Sequence, residues 1–383
     1  GLVWSYTHSE TLDEGEHELQ VRAYDELGNR SAWCDTVAVF IDTQAIDAPA
    51  IGLIAKGYNT SPLTLKWNAV VDKHNTENAI TYVLQWAKDA GFSGAHDVPI
   101  ATGTQYEFDF ADPDKGESEY WFRVKTISTV NGTTTPPQTK ESGWSAIVST
   151  IYDVTGPAAP VLTLESKNPT NESTQEWTWT RPVDAVNYDL YWSETEDSAP
   201  GPLTTPSAAG VGNIDLYCTS FANPGEEKTY YVWVRGIDAL GNKGLWSEKV
   251  EGVTPSVTVD MKAPGEPTGL SVVTPTTDRT PTWTWANPGN QPPNNDLKGY
   301  EVLLDGTGPI DVGLVWSYTH SETLDEGEHE LQVRAYDELG NRSAWCDTVA
   351  VFIDTQAIDA PAIGLIAKGY NTSPLTLKWN AVV

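Results

Sequence analysis

Leu12–Trp33 reads LDEGEHELQVRAYDELGNRSAW, and Leu324–Trp345 repeats it without a change. An altered version runs from Phe221 to Trp246 (FANPGEEKTYYVWVRGIDALGNKGLW), and a looser one from Phe110 to Trp144. Each copy carries a turn, a strand of alternating apolar and polar residues, a polar loop and a tryptophan. In the strand, Leu19, Val21 and Ala23 point one way and Glu18, Gln20 and Arg22 the other, the period of two that belongs to a half-buried strand. One kind of domain is therefore expected to recur along the chain.

The repeat extends beyond the motif. Residues 1–71 are identical with residues 313–383, a period of 312 residues. Self-similarity on this scale marks a tandem array. Three domain types are expected within one period: residues 1–44 close a domain of type A, 45–154 form a B, 155–261 a C, 262–357 a complete A, and 358–383 open the next B. Both chain ends then fall inside domains, so the sequence reads as part of a longer array. Proline marks the expected boundaries (Pro49, Pro157 and Pro160, Pro264 and Pro267). It suits a first edge strand, where no ladder N–H is lost, and it stiffens a short linker.

An early strand in each domain carries a pair at i and i+2: Leu65 and Trp67, Trp177 and Trp179, Trp283 and Trp285. A second strand begins with Tyr82, Tyr188 or Tyr300. No amphipathic helix longer than two turns is evident. The fold class is all-β, a tandem array of domains with the size of a small β-sandwich.

B resembles a fibronectin type III domain through Trp67, Tyr82 and the YWFRVKT strand at Tyr120–Thr126. A and C resemble the bacterial immunoglobulin-like repeats of giant surface proteins, whose domains end in a pattern like L..G.H.L.V.A.D..GN.S…IDT..P. Type A matches closely, and C keeps the loop but ends in TVDMKAP. The resemblance implies a tyrosine corner at Tyr120 and Tyr230, with His17 at the same place in A.

Composition narrows the function. The formal net charge of −30 is the wrong sign for a phosphate-binding surface, which argues against nucleic acid and anionic lipid as partners. No run approaches the ~18 apolar residues of a membrane span. Cys34, Cys218 and Cys346 offer no pair within one domain and are expected as buried small hydrophobes. No nucleophile motif, phosphate loop, H-E-x-x-H or C-x-x-C is present, so no enzyme is expected.

The D-x-x-G-N loops (Asp25–Asn29, Asp238–Asn242, Asp337–Asn341) are ordinary turn chemistry on their own. In a sandwich, however, the last inter-strand loop and the loop before the tyrosine strand lie at the pole where the chain enters. Three carboxylates are thereby expected at each junction: Asp153, Asp184 and Asp238 at B–C, and Asp260, Asp296 and Asp337 at C–A. A calcium ion would relieve their repulsion. At A–B the linker supplies Asp42 and Asp47, but the loop positions are Asn78 and Ser128, and weaker binding is expected.

Most tryptophans align with core positions, whereas Trp121 and Trp233 are expected to be exposed and open to lateral contacts. Asn29, Asn59, Asn131 and Asn171 begin Asn-x-Ser/Thr triplets. The expected function is a structural segment of a giant extracellular surface protein, forming a stiff, adhesin-like stalk whose partners are its neighbouring repeats. About 35 Å per domain would give on the order of 110 Å per period. A self-assembling filament or sheath with lateral copies is the alternative. A spacer or carbohydrate-binding region of a secreted polysaccharide enzyme is a third.

Overall fold

A computed structural model describes residues 5–73, 76, 78–130, 138–196, 199–212, 214, 216–221, 225–250, 252–287, 296–362 and 379–381. Among them the chain is all-β, with no helix. It forms two compact units: one of Gly1–Ala158, Pro182–Asn187 and Arg235–Leu245, the other of Ala159–Arg181, Tyr188–Val234 and Trp246–Val383. Most of the expected opening strands of a further B, and the triplet at Asn131, lie outside the described residues.

In chain order the strands fall into four groups. The first is β1 (Gly15–Leu19) and β2 (Val37–Ile41), an antiparallel pair. The second holds β3 (Gly57–Tyr58), β4 (Leu63–Lys66), β5 (Ala79–Ala87), β6 (His96–Ile100), β7 (Gln105–Phe108), β8 (Ser118–Thr129), β9 (Thr139–Glu141) and β10 (Val148–Tyr152). Its large sheet has the order β3-β10-β8-β5-β6, with β9 beside β8, and β4-β7 form the facing sheet. The third holds β11 (Leu162–Leu164), β12 (Thr174–Trp179), β13 (Asn187–Ser193), β14 (Tyr217–Ser220), β15 (Glu227–Ile237) and β16 (Ser256–Asp260), ordered β11-β12-β14 and β13-β15-β16. The fourth holds β17 (Thr268–Ser271), β18 (Thr282–Ala286), β19 (Leu297–Leu304), β20 (Thr307–Gly313), β21 (Ser317–Thr319), β22 (Gly327–Asp337) and β23 (Val349–Ile353), ordered β17-β18-β21 and β20-β19-β22-β23.

Alternation makes these sandwiches. Along β8 and β22 every second side chain is buried, so one face of each sheet meets the facing sheet. The second core joins Leu63, Leu65 and Phe108 to Leu84, Phe122 and Val124. The fourth joins Trp283 and Trp285 to Tyr300, Val333 and Val351. The same aromatic pair recurs in all three: Trp67–Tyr82, Trp179–Tyr188 and Trp285–Tyr300 have ring centroids 5.6, 5.1 and 5.5 Å apart. Such pairs contribute about 0.5–1.5 kcal/mol each beyond their area.

Three readings of the sequence are refined. The Tyr120 hydroxyl donates to the Gly116 carbonyl at 2.6 Å, the tyrosine-corner bond. In the copies of type A the histidine takes it over: Nε2 of His17 and His329 meets the carbonyls of Asp13 and Asp325 at 2.7 and 3.0 Å. Trp233 is not exposed but 4% accessible, packed 5.7 Å from the Tyr191 ring, and Trp121 is half-buried. Of the cysteines, only Cys346 is buried; Cys34 and Cys218 are exposed, and all three are free thiols.

Candidate cation site

Each last strand ends in an aspartate held the same way. Tyr152 pairs in parallel with Tyr58, Val259 bridges Thr170, and Ile353 bridges Thr276. The next residue then donates its N–H back: Asp153 to the Tyr58 carbonyl at 3.1 Å, Asp260 to Thr170 at 2.8 Å and Asp354 to Thr276 at 3.0 Å. Each D-x-L-G-N loop is also built identically. Oδ1 of Asp238 accepts the N–H groups of Leu240 and Asn242, both at 2.8 Å; Oδ1 of Asp337 accepts those of Leu339 and Asn341 at 3.0 and 2.8 Å. Gly241 and Gly340 close the turn at φ 88° and 91°, where a side chain would strain the backbone.

At the end of β16 the expected carboxylates come together. Asp260, Asp296 and Asp337 place one oxygen each within 4.8 Å of one another. Asp260 and Asp337 are buried and Asp296 is half-buried. Oδ1 of Asp296 is buried without a hydrogen-bond partner. The Asp296 carbonyl accepts the Glu338 N–H at 3.0 Å, which fixes the segment beside the loop. Burial raises the Asp296 carboxyl above its ordinary value of 3.8, and the charges of Asp337 and Asp260 raise it further, against a lowering by its own backbone N–H. Among the described residues no Lys, Arg or His forms an ion pair with any of the three. The donors are all hard oxygens, and the unpartnered Oδ1 is a position a cation would fill. The set therefore fits calcium, whose remaining ligands water can supply.

The other expected groups differ. Asp238 is buried and Asp153 half-buried, but Asp184 sits in an exposed turn, and the three form no such group among the described residues. Asn242 joins the first two instead, its Nδ2 donating to the Asp153 carbonyl and to Asp238 Oδ2, both at 2.8 Å. Asp42 meets Lys140, and the same ammonium lies 3.2 Å from Asp72. Asp72 Oδ2 accepts from Ser128 at 2.8 Å and from Asn78 at 3.1 Å. Burial alone would lower the Lys140 pKa, but its bonds to Asp42 and Asp72 outweigh that and hold it above its ordinary value. Asp47 pairs with Lys73 at 2.7 Å in the open. Asp72 and Lys140 were not singled out from the sequence. The available signal was a lone basic residue after β8 in a strongly acidic chain.

A concavity lies elsewhere, lined by Tyr6, Leu19, Val21, Trp33 and Cys34. The same residues of the second copy include buried core, so this is the uncovered inner face of β1 and its flanks.

Fold and loops together define the class: an all-β tandem array of immunoglobulin-like and fibronectin type III-like sandwiches. No protein-family profile and no curated protein matches the sequence. Among solved structures, the FN1–FN3 domains of chicken CNTN1 are similar at 14% identity, over 81% of this chain and 99% of that one, with a TM-score of 0.31.

Proposed function

We propose that the chain is a structural repeat segment of a giant extracellular surface protein, a stiff stalk of A, B and C domains in fixed order. The carrying observation is that two successive D-x-L-G-N loops grip the linker ahead of them by the same bond, Asn242 to Asp153 and Asn341 to Asp260, at 2.8 and 3.0 Å. An array whose members meet alike holds its spacing, and identical units repeat it. Calcium at Asp260, Asp296 and Asp337 would stiffen the C–A step at the roughly 10⁻⁴–10⁻³ M typical of extracellular modules.

The experiment is small-angle scattering on the 383-residue chain in calcium and then in chelator, with calorimetric titration of the metal. The expected result is a monomer that binds one calcium tightly enough to titrate and grows more flexible on chelation. A chain that binds no calcium, or scatters identically in both, sinks the cation. A chain that is flexible in both sinks the stalk.

The filament reading has one observation of its own. Strand β20 (Thr307–Gly313) is an exposed sheet edge, followed by exposed Leu314, Val315 and Trp316. Pro309 and Asp311 blunt that edge. Concentration-dependent polymerisation in sedimentation would favour the filament over the stalk.

A further inference from the structure

Two asparagines that begin glycosylation triplets have their side-chain amides engaged. Nδ2 of Asn59 donates to the Leu240 carbonyl at 2.6 Å, and Nδ2 of Asn171 donates to the Leu339 carbonyl at 2.9 Å. Both acceptors are the central residue of a D-x-L-G-N loop. Both donors follow the residue that bridges the last strand, Tyr58 and Thr170 respectively. Sequence separations of 181 and 168 residues make these tertiary contacts rather than local turns.

The packing agrees. A Cβ on Gly57 would lie 2.7 Å from Leu240 Cδ2, so the leucine side chain rests on a backbone kept bare. The same loop also occurs in the first copy, where the 383 residues hold no C domain ahead of it. Loop Asp25–Asn29 has the sequence of Asp337–Asn341 and the same internal bonds, Asp25 Oδ1 accepting from Leu27 and Asn29 at 3.0 and 2.8 Å. Its Leu27 is 90% exposed, whereas Leu339 is half-buried. The internal bonds of the loop therefore do not depend on a docked neighbour.

The two halves are also absent together. In the fourth group the bridging residue is Thr276, and Thr277 stands where Asn59 and Asn171 stand. The domain type that follows A is B, and B has no D-x-L-G-N sequence after β8. We propose that the D-x-L-G-N loop is a docking surface for the end of the preceding domain, selecting an end that carries asparagine after its bridging residue. B–C and C–A are locked this way, and A–B is held by Lys140 instead. Loop Asp25–Asn29 fits an end like that bearing Asn171. A glycan on Asn59 or Asn171 would replace one Nδ2 hydrogen and crowd the nitrogen that the lock uses, so docking and glycosylation compete at these triplets.

The inference rests on the domain-array reading, and the test separates the two at B–C, where no three-carboxylate group forms among the described residues. Spin labels are placed at the exposed positions Lys66→Cys and Ala239→Cys of the 383-residue chain, with Cys34→Ser and Cys218→Ser, and Cys346 left buried. The unsubstituted lock gives a narrow distance distribution in calcium and in chelator. Asn59→Ala raises the undocked, broad fraction roughly fivefold, the factor one such hydrogen bond carries. Asn59→Asp, equal in size but facing the carbonyl with an acceptor, raises it further. An unchanged narrow distribution in both variants overturns the lock and leaves the array standing. A distribution narrow in calcium and broad in chelator assigns B–C to a cation and also overturns it. A distribution already broad without substitution overturns the array reading together with the lock.

Discussion

The Lys140 site and the Asp296 site solve one electrostatic problem in opposite ways. In one, Asp42 and Asp72 share an ammonium supplied by the chain. In the other, Asp260, Asp296 and Asp337 have no cationic side chain paired with them among the described residues. Buried carboxylates at close range require a countercharge. A lysine makes that countercharge permanent, while a metal makes it depend on the surroundings. On the proposed calcium reading, the A–B step is permanent and the C–A step responds to its surroundings.

The largest expected effect comes from removing the permanent cation. Lys140→Met leaves Asp42 and Asp72 facing each other and should cost about 2 kcal/mol of unfolding free energy in denaturant titration. This is below the 3–5 kcal/mol of a fully buried pair, because Lys140 keeps 20% of its side chain in water. A change within error would mean that the lysine is incidental.

Next, Asp296→Asn should weaken calcium binding roughly tenfold by calorimetry, since affinity follows the number of carboxylates. Asp296→Lys should convert this site to the Lys140 type, abolishing calcium binding and removing the difference in melting temperature between calcium and chelator. Retained calcium binding in the lysine variant would break the comparison.

A smaller effect is expected from pH. The Asp296 carboxyl is raised above 3.8 in the folded chain, so the folded state binds its proton first. In chelator, this group's contribution to stability therefore rises as pH falls through the raised folded value towards 3.8, and its penalty is fully present above that window. Other carboxylates, such as Glu117 and Glu326, are lowered and work the opposite way. The quantity to follow is thus the melting-temperature difference from Asp296→Asn, which should shrink at acid pH. Smallest of all, Lys73→Ala removes an exposed pair with Asp47 and should leave the melting temperature unchanged.

Much of the fold was legible because alternation and turn chemistry are short-range. The candidate site was legible only in part. Asp296 and Asp184 each stand four residues before a strand tyrosine, yet one joins its neighbours and the other lies in an exposed turn. Nothing in that spacing distinguishes them. Lys140 and Asp72 were missed because their partners lie far along the chain, and Trp233 was misplaced because strand parity did not anticipate the Tyr191 ring against it.

The identical copies separate what sequence decides from what tertiary structure decides. Gly15–Leu19 pairs with Val37–Ile41 in the same register as Gly327–Leu331 with Val349–Ile353. The D-x-L-G-N loop closes on the same bonds in both. Those features span few residues, and the sequence alone determines them. Burial does not follow: Leu19 and Val21 are 49% and 68% exposed, whereas Leu331 and Val333 are fully buried. The second copy is covered by β18, with Trp283 and Trp285, and flanked by β19, and the first has no counterpart of these strands within the 383 residues. Apolar burial and the gathering of charges depend on groups distant in sequence, so only the assembled fold could settle them.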